Sequence, residues 1–351
     1  MDLKKLTEEF PQLIEYVTGP LDQKVTSTCS IKNAQSDKLL FVHESSFLGE
    51  AMSTSCQQFV VPLSSLEEAK SLLPADRTLF VSHNVKLAKT FVSHKFFPIL
   101  DNRLPFEGEQ IHASAVVAKS AKIDPSVIIG PNAVIGENVI IGANSVIGAS
   151  TVIEKNVTIG QDTHIFAQVL ISHNCHVGNQ CIIQSQTTIG SVGFGYAQNE
   201  KGESFHTPHY GKAILEDRVE IGAGVFIDRG NLDDTIIGEG TKIDNYCHFG
   251  HNFKCGKNNL ITAGFIAAGS VEMGSYNVFA GRCGATGHNK LGSKMVVGAN
   301  SIFTSSHEKP GKWGGYPIQP FKDYLKSQAS IKHLPEMRKT LAKLVKHCGL
   351  K

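Results

Sequence analysis

The chain has 351 residues, a formal charge of +2 and a hydrophobic fraction of 41%; this leaves room for two or three units, and the overall charge does not suit nucleic acid. Its eight cysteines form no C-x-x-C pair, the N-terminus "MDLKKLTEEFPQL" lacks a signal-peptide core, and no apolar run is long enough to span a bilayer. A reduced, cytoplasmic protein without an integral membrane segment is expected.

Residues 1–100 predict a small α/β domain. "LTEEFPQLIEYV" reads as a short helix, "QQFVVP" and "TLFVS" as strands, and "SSLEEAKSLL" and "NVKLAKTFVSH" as helices capped by Ser or Asn. A proline-bearing linker follows at residues 101–110.

Residues 111–306 carry a different signal. An aliphatic recurs every sixth position, from Ile111 and Val117 through Ile183 and Ile189, fourteen times without a miss. Chance would give this roughly once in a few hundred thousand at this composition. A period of six is the mark of a parallel β-helix of hexapeptides, in which no repeat buries its aliphatic without neighbours above and below. Gly follows the aliphatic in many repeats (Gly130, Gly136, Gly148) and Asn recurs at the corners (Asn132, Asn138, Asn144, Asn156), both read as positions where positive φ is inexpensive. The position four after the aliphatic is small or β-branched and takes Cys175, Cys181, Cys247 and Cys283 as core filler.

Two interruptions break the count, a long one from Gly193 to Lys212 and a short one from Asn231 to Asp234. Loops excluded from a regular stack commonly carry function. "EKPGKWGGYPIQP" is expected to end the stack. The tail, residues 307–351, then shows helical patterning with Leu334, Met337, Leu341, Leu344 and Val345 on one face. From Phe321 onward, eight basic residues stand against Asp323 and Glu336, a local charge of about +6.

No P-loop, dinucleotide fingerprint, nucleophile elbow or zincin helix is present. The stretch "KIDNYCHFGHNFKCG" places Asp244, His248, His251 and Asn252 on neighbouring strands and corners, with His251 outward beside the wall. His288 lies about two coils up the same face. An outward histidine is often only a surface residue; His173 and His176 are read as structural, and His206 and His209 as exposed loop residues without a specific role. A zinc site of outward histidines is the rival chemistry, but the spacing does not repeat and no carboxylate pairs with them, so no metal is expected.

The runs "GFGYAQNEKG", "IDRGNLDDTIIG", "IDNYCHFGHN" and "YPIQP" closely resemble UDP-3-O-acylglucosamine N-acyltransferases of lipid A biosynthesis, and the likeness extends over essentially the whole chain. The resemblance implies a left-handed β-helix, which breaks the usual right-handed crossover rule, a homotrimer with sites between subunits, and a uridine-binding N-terminal domain. It implies transfer of a 3-hydroxyacyl chain from acyl carrier protein to the 2-amino group of a UDP-sugar, with no cofactor beyond that thioester. Carried over by position, His251 is the general base and the Gly269 backbone N–H the oxyanion donor. His288 meets the substrate phosphate and Asp244 the sugar, with His248 and Asn252 beside them. The family's uracil-binding Phe-x-x-Asn-x-x-Tyr is here Phe41, Glu44 and Phe47, a departure that puts an acceptor-only carboxylate where an amide would both donate and accept. Arg338, Lys339 and Lys343 of the basic tail are expected to dock the acidic carrier protein. The competing readings are a hexapeptide sugar N-acetyltransferase using acetyl-coenzyme A and a non-catalytic β-helix scaffold.

Overall fold

The computed structural model describes residues 1–97 and 110–349, and the expected linker at 101–110 lies almost wholly outside them. The chain divides into two compact units, Met1–Asn102 and Arg103–Lys351.

In the first unit, five strands are ordered β1 (Glu15–Thr18), β5 (Thr78–Ser82), β4 (Gln58–Pro62), β3 (Lys38–Phe41), β2 (Ser27–Cys29). Only β1 runs antiparallel. Alternate residues enter two cores: Phe41, Val60 and Phe80 on one face, Leu40, Phe59, Val61 and Leu79 on the other. Burial on both faces accounts for the near-continuous apolar strands. Helices α1 (Lys4–Glu9), α2 (Leu48–Met52), α3 (Leu66–Leu72) and α4 (Val85–Phe96) accompany the sheet, and Asn84 caps α4 by accepting from Leu87 N–H at 3.0 Å. The helix expected over "LTEEFPQLIEYV" is shorter than read: α1 ends at Glu9, before Pro11, and Glu15–Thr18 is strand β1.

The second unit is a three-sided stack of parallel strands of two to four residues. Its first face runs from Lys122–Ile123 to Lys290–Leu291, its second from Ile128–Ile129 upward, and its third from Val116–Val117 to Ile302–Phe303. Each aliphatic pairs with the one a coil away, as Ile123, Ile141 and Ile159 do on the first face, and the column forms one continuous core. Across the long interruption Val177 pairs with Leu215, and across the short one Leu215 pairs with Ile237. Register is thus kept, and both insertions are extruded from the stack.

The corner asparagines adopt positive φ as expected, with Asn132 at 57° and Asn138 at 56°. They also ladder outside the stack: Asn138 Nδ2 donates to Asn156 Oδ1 at 3.2 Å, and Asn156 Nδ2 to Asn174 Oδ1 at 3.1 Å. Among the glycines after the aliphatic, Gly190 adopts positive φ (86°) as expected, but others do not. Gly136 and Gly148 are not in the positive-φ region; a Cβ on Gly148 would stand 2.4 Å from the Phe166 carbonyl carbon of the next coil. Close approach of coils, and not backbone conformation, excludes a side chain there. The small inward column also gives way to Phe253 and Phe265 in the upper half, where Phe265 packs against Phe249 and Phe279.

The segment expected to end the stack extends it first. Gly311–Gly314 pairs in parallel with Met295–Val297, and Gln319–Pro320 folds back antiparallel. Helices α5 (Phe321–Ile331) and α6 (Leu334–His347) follow. Among the described residues, no helix is long and apolar enough to cross a membrane.

Candidate functional site

Both insertions leave the stack at one edge, where the chain passes from the third face to the first: Gly193–Lys212 after the strand Thr188–Ser191, and Asn231–Asp234 after Phe226–Asp228. His251 occupies the next turn of that same edge, between His248–Phe249 and Lys254–Cys255. It is a corner residue and not a wall residue. One coil higher the position is Gly269, and at two coils it is Gly287, followed by His288, which is exposed with φ 61°. At the usual strand spacing, His288 stands about 10 Å above the His251 turn.

The protonation pattern of His251 follows from its neighbours. Asn252 Oδ1 accepts from Asn231 N–H at 2.9 Å, while Asn252 Nδ2 donates to the Asp233 carbonyl at 3.1 Å. A backbone N–H can only donate and a carbonyl can only accept, so these two bonds fix the amide orientation. His251 Nδ1, 2.9 Å from Asn252 Oδ1, therefore carries the hydrogen, and Nε2 of the neutral ring presents a lone pair. Asn252 thus clamps the short insertion and sets the imidazole together.

That lone pair lies over Gly269, where a Cβ would stand 2.5 Å from Nε2 and 2.6 Å from Cε1. Glycine is required for the ring to occupy this place. The Gly269 carbonyl accepts from His288 N–H at 3.1 Å, whereas its own N–H makes no hydrogen bond among the described residues. A base and an unused backbone donor therefore adjoin each other.

A residue without an assigned role in the sequence reading stands behind them. Asp228, only 6% exposed, accepts from Ser191 Oγ at 2.8 Å, and its Oδ2 is 3.8 Å from His248 Nε2. Burial pushes its carboxyl above the usual range, against the pull of Ser191 and of His248, His251 and His209. The expectation that no carboxylate partners these histidines is thereby corrected, although no group of His, Cys, Asp or Glu suited to a metal is found among the described residues. "IDRG" was the available signal, since Asp228 falls at the end of an otherwise apolar strand.

His209 is also not the exposed loop residue expected. It is 9% exposed, its ring meets that of His251 edge to face at 5.2 Å, and Nδ1 is 2.8 Å from the Thr207 carbonyl. The long insertion is tied to the short one: Tyr210 and Gly211 N–H donate to the Asn231 carbonyl, and Lys212 N–H to Asp234 Oδ1. Lower on the same edge, buried Arg229 donates to the Gly190 and His173 carbonyls at 2.9 and 3.0 Å and to His173 Nε2 at 2.8 Å. His173 in turn gives its N–H and Nδ1–H to Glu154, a structural network under the site.

The structure does not bring every candidate together. Asp244 sits at the preceding corner, between the second and third faces, where it accepts from Asn245 and Ala263 N–H; within one chain it is on a different edge from His251. In the first unit, Phe41 is 6% exposed inside a core, so it offers no free ring face, and its reading as a base-stacking residue is corrected. Glu44 does line a cavity of about 890 Å³ with His43, His83, Asn84, Lys86 and Lys89, and Phe47 is 45% exposed. Burial, with Lys89 and Lys86 nearby, holds His43 below the ordinary imidazole range. Arg338, Lys339 and Lys343 lie on α6, whose Leu334, Met337, Leu341 and Leu344 are all more than half exposed.

Fold and edge together define a hexapeptide-repeat β-helix protein with an imidazole nitrogen beside a backbone donor. Residues 110–229 match the family model of the GMPPB C-terminal domain, a span that begins where the repeat does. The chain is similar to the UDP-3-O-acylglucosamine N-acyltransferase of Campylobacter lari, 43% identical over 143 residues that cover 41% of this chain and 45% of that one. The enzyme of the same name from Methylococcus capsulatus is 37% identical over 158 residues, 45% of each chain. The chain thus spans about half the length of the curated relatives it matches. Among solved structures, a UDP-N-acetylglucosamine acyltransferase from Campylobacter jejuni is 21% identical, covering 60% of this chain and 73% of that one with a TM-score of 0.40.

Proposed function

We propose that this chain is an N-acyltransferase that moves a 3-hydroxyacyl group from acyl carrier protein to the 2-amino group of UDP-3-O-acylglucosamine, in lipid A biosynthesis. The observation that carries the reading is the His251 Nε2 lone pair set over Gly269 beside an unused N–H. The amine nitrogen attacks the thioester carbonyl, and His251 Nε2 takes the proton it sheds. Gly269 N–H donates to the oxygen as it becomes anionic, which is worth most when the donor is already in place. Collapse expels the carrier's thiolate, which takes the proton from the imidazolium; amide and free thiol are the products.

His288, above on the same edge, suits a phosphate; taken by itself, the first unit offers the Glu44 cavity to a nucleobase. Asp244 is an edge away within its own chain, so a role for it at the site requires a neighbouring copy, in keeping with a closed trimer of left-handed coils. The basic α6 suits an acidic carrier protein through charge complementarity, which acts mainly on the encounter rate. Replacing His251 with Ala should lower kcat by roughly 10²–10⁴ with the fold intact. Activity within threefold of the parent would remove His251 from the mechanism.

A further inference from the structure

His209 carries a second acceptor nitrogen into the same corner. Its Nδ1 faces the Thr207 carbonyl at 2.8 Å, so the hydrogen is on Nδ1 and the neutral ring leaves Nε2 as a lone pair. That nitrogen is buried and has no hydrogen-bond partner among the described residues. His251 cannot satisfy it, because its own Nε2 is also bare. The Asp228 carboxylate cannot either, since it has no hydrogen to donate; it accepts from Ser191. An acceptor shut away from water without a donor is costly, and such groups in native proteins commonly mark a functional requirement.

His206 stacks on the His209 ring at 5.9 Å, and the Nε2 edge is covered by glycine backbone. A Cβ on Gly193 would stand 3.0 Å from His209 Nε2 and 2.8 Å from His251 Cβ, and one on Gly195 would stand 2.9 Å from His209 Cε1. The long insertion thus brings the Gly193 backbone against both rings, and a small displacement of Gly193 uncovers His209 Nε2. The two rings meet edge to face with centroids 5.2 Å apart, which puts both beside the same small volume at this corner.

We propose that His209 is a specificity-determining residue that selects an amine over a hydroxyl. This rests on the N-acyl transfer reading and deepens it. A neutral amine has two hydrogens and one lone pair: one hydrogen bonds to His251 Nε2, the other to His209 Nε2, and the lone pair is left facing the thioester carbonyl. A hydroxyl has one hydrogen and leaves His209 unsatisfied. Only the proton held by His251 is transferred; His209 remains neutral throughout and gains or loses none.

The test compares UDP-3-O-acylglucosamine with its counterpart bearing a 2-hydroxyl, in the full-length protein. His209→Phe keeps a ring against His251 and removes the acceptor, whereas His209→Gln retains an acceptor at the same reach. With the amine, kcat/KM should fall about tenfold in the Phe variant and largely recover in the Gln variant, the size of one net hydrogen bond. With the hydroxyl sugar the Phe variant should match the parent. Equal losses on both sugars, or parent-like amine preference in the Phe variant, would make His209 a packing residue and overturn the proposal. ¹⁵N-histidine spectra give a readout that needs no turnover. Addition of the amino sugar without acyl donor should shift the His209 Nε2 resonance toward that of a hydrogen-bonded nitrogen, and the hydroxyl sugar should not. An unshifted resonance with the amino sugar bound overturns the proposal; a shifted resonance in a protein that transfers no acyl group upholds it while removing the proposed transfer.

Discussion

Gly269→Ala isolates geometry from chemistry at the centre of the site. Gly269 is not at positive φ, so alanine suits its backbone, and the new methyl would come nearest the His251 ring, at 2.5 Å from Nε2, 2.6 Å from Cε1 and 3.0 Å from Cδ2. Ordinary contact between such atoms is about 3.5 Å, so the ring must retreat by about 1 Å, pivoting about Cβ and away from Asn252 Oδ1. A displacement of this size costs about 10²-fold in a positioned reaction. The assay is steady-state kcat and kcat/KM with acyl carrier protein thioester and UDP-sugar, beside a thermal melt. Gly281→Ala, where the added carbon meets only the Ala263 carbonyl at 3.5 Å, serves as the control. The expected outcome is kcat down by about 10² for Gly269→Ala, with a melting temperature within a few degrees of the parent and an unaffected control. Full activity in Gly269→Ala would show that His251 need not lie over Gly269, and the base assignment would lose its geometric support.

Three further outcomes follow from other parts of the chain. If Glu44 faces the nucleotide base from its cavity wall, Glu44→Asn should tighten UDP-sugar binding by roughly fivefold, the worth of one net hydrogen bond; calorimetry showing equal or weaker binding would separate Glu44 from that role. Reversing Lys339 and Lys343 to Glu should lower kcat/KM for the carrier protein several-fold at low salt, leave UDP-sugar affinity unchanged and abolish most of the salt dependence, whereas unchanged kinetics would make α6 a cap. Burial raises the Glu154 carboxyl, but the two His173 hydrogen bonds outweigh it and hold the group below its usual range; a depressed carboxyl stabilises the fold above its unfolded value of about 4.3, and that contribution fades as pH falls through the lower folded value. Glu154→Gln should therefore melt lower than the parent at pH 7 and converge with it in acid; a constant offset at all pH values would contradict this.

The repeat was legible because each coil repeats one demand, an aliphatic inward every sixth residue, so the register of three faces follows from counting. The edge carrying the site was partly legible as well: His251 and His288 stand 37 residues apart, two coils and one position, and the structure stacks them accordingly. Asp228 was hinted at only by a polar end on an apolar strand, and His209 was not legible, because its burial arises from how the two insertions fold onto each other through Asn231 and Asp234. A loop histidine reads as exposed until the chain that covers it is known. Most glycines of the repeat were found for the wrong reason, since a conformational allowance, which holds at Gly190, and a steric one select the same residue. Phe41 illustrates the converse: a motif position filled by a fitting residue type, but turned into the core by strand alternation.

The central claim is tested most directly by mass spectrometry of the product formed from UDP-3-O-acylglucosamine and a panel of acyl donors. The account predicts an amide-linked 3-hydroxyacyl product from acyl carrier protein thioesters, formed by the parent and reduced by roughly 10²–10⁴ in rate in His251→Ala. An N-acetylated product from acetyl-coenzyme A, or no transfer from any carrier-protein thioester, would contradict it.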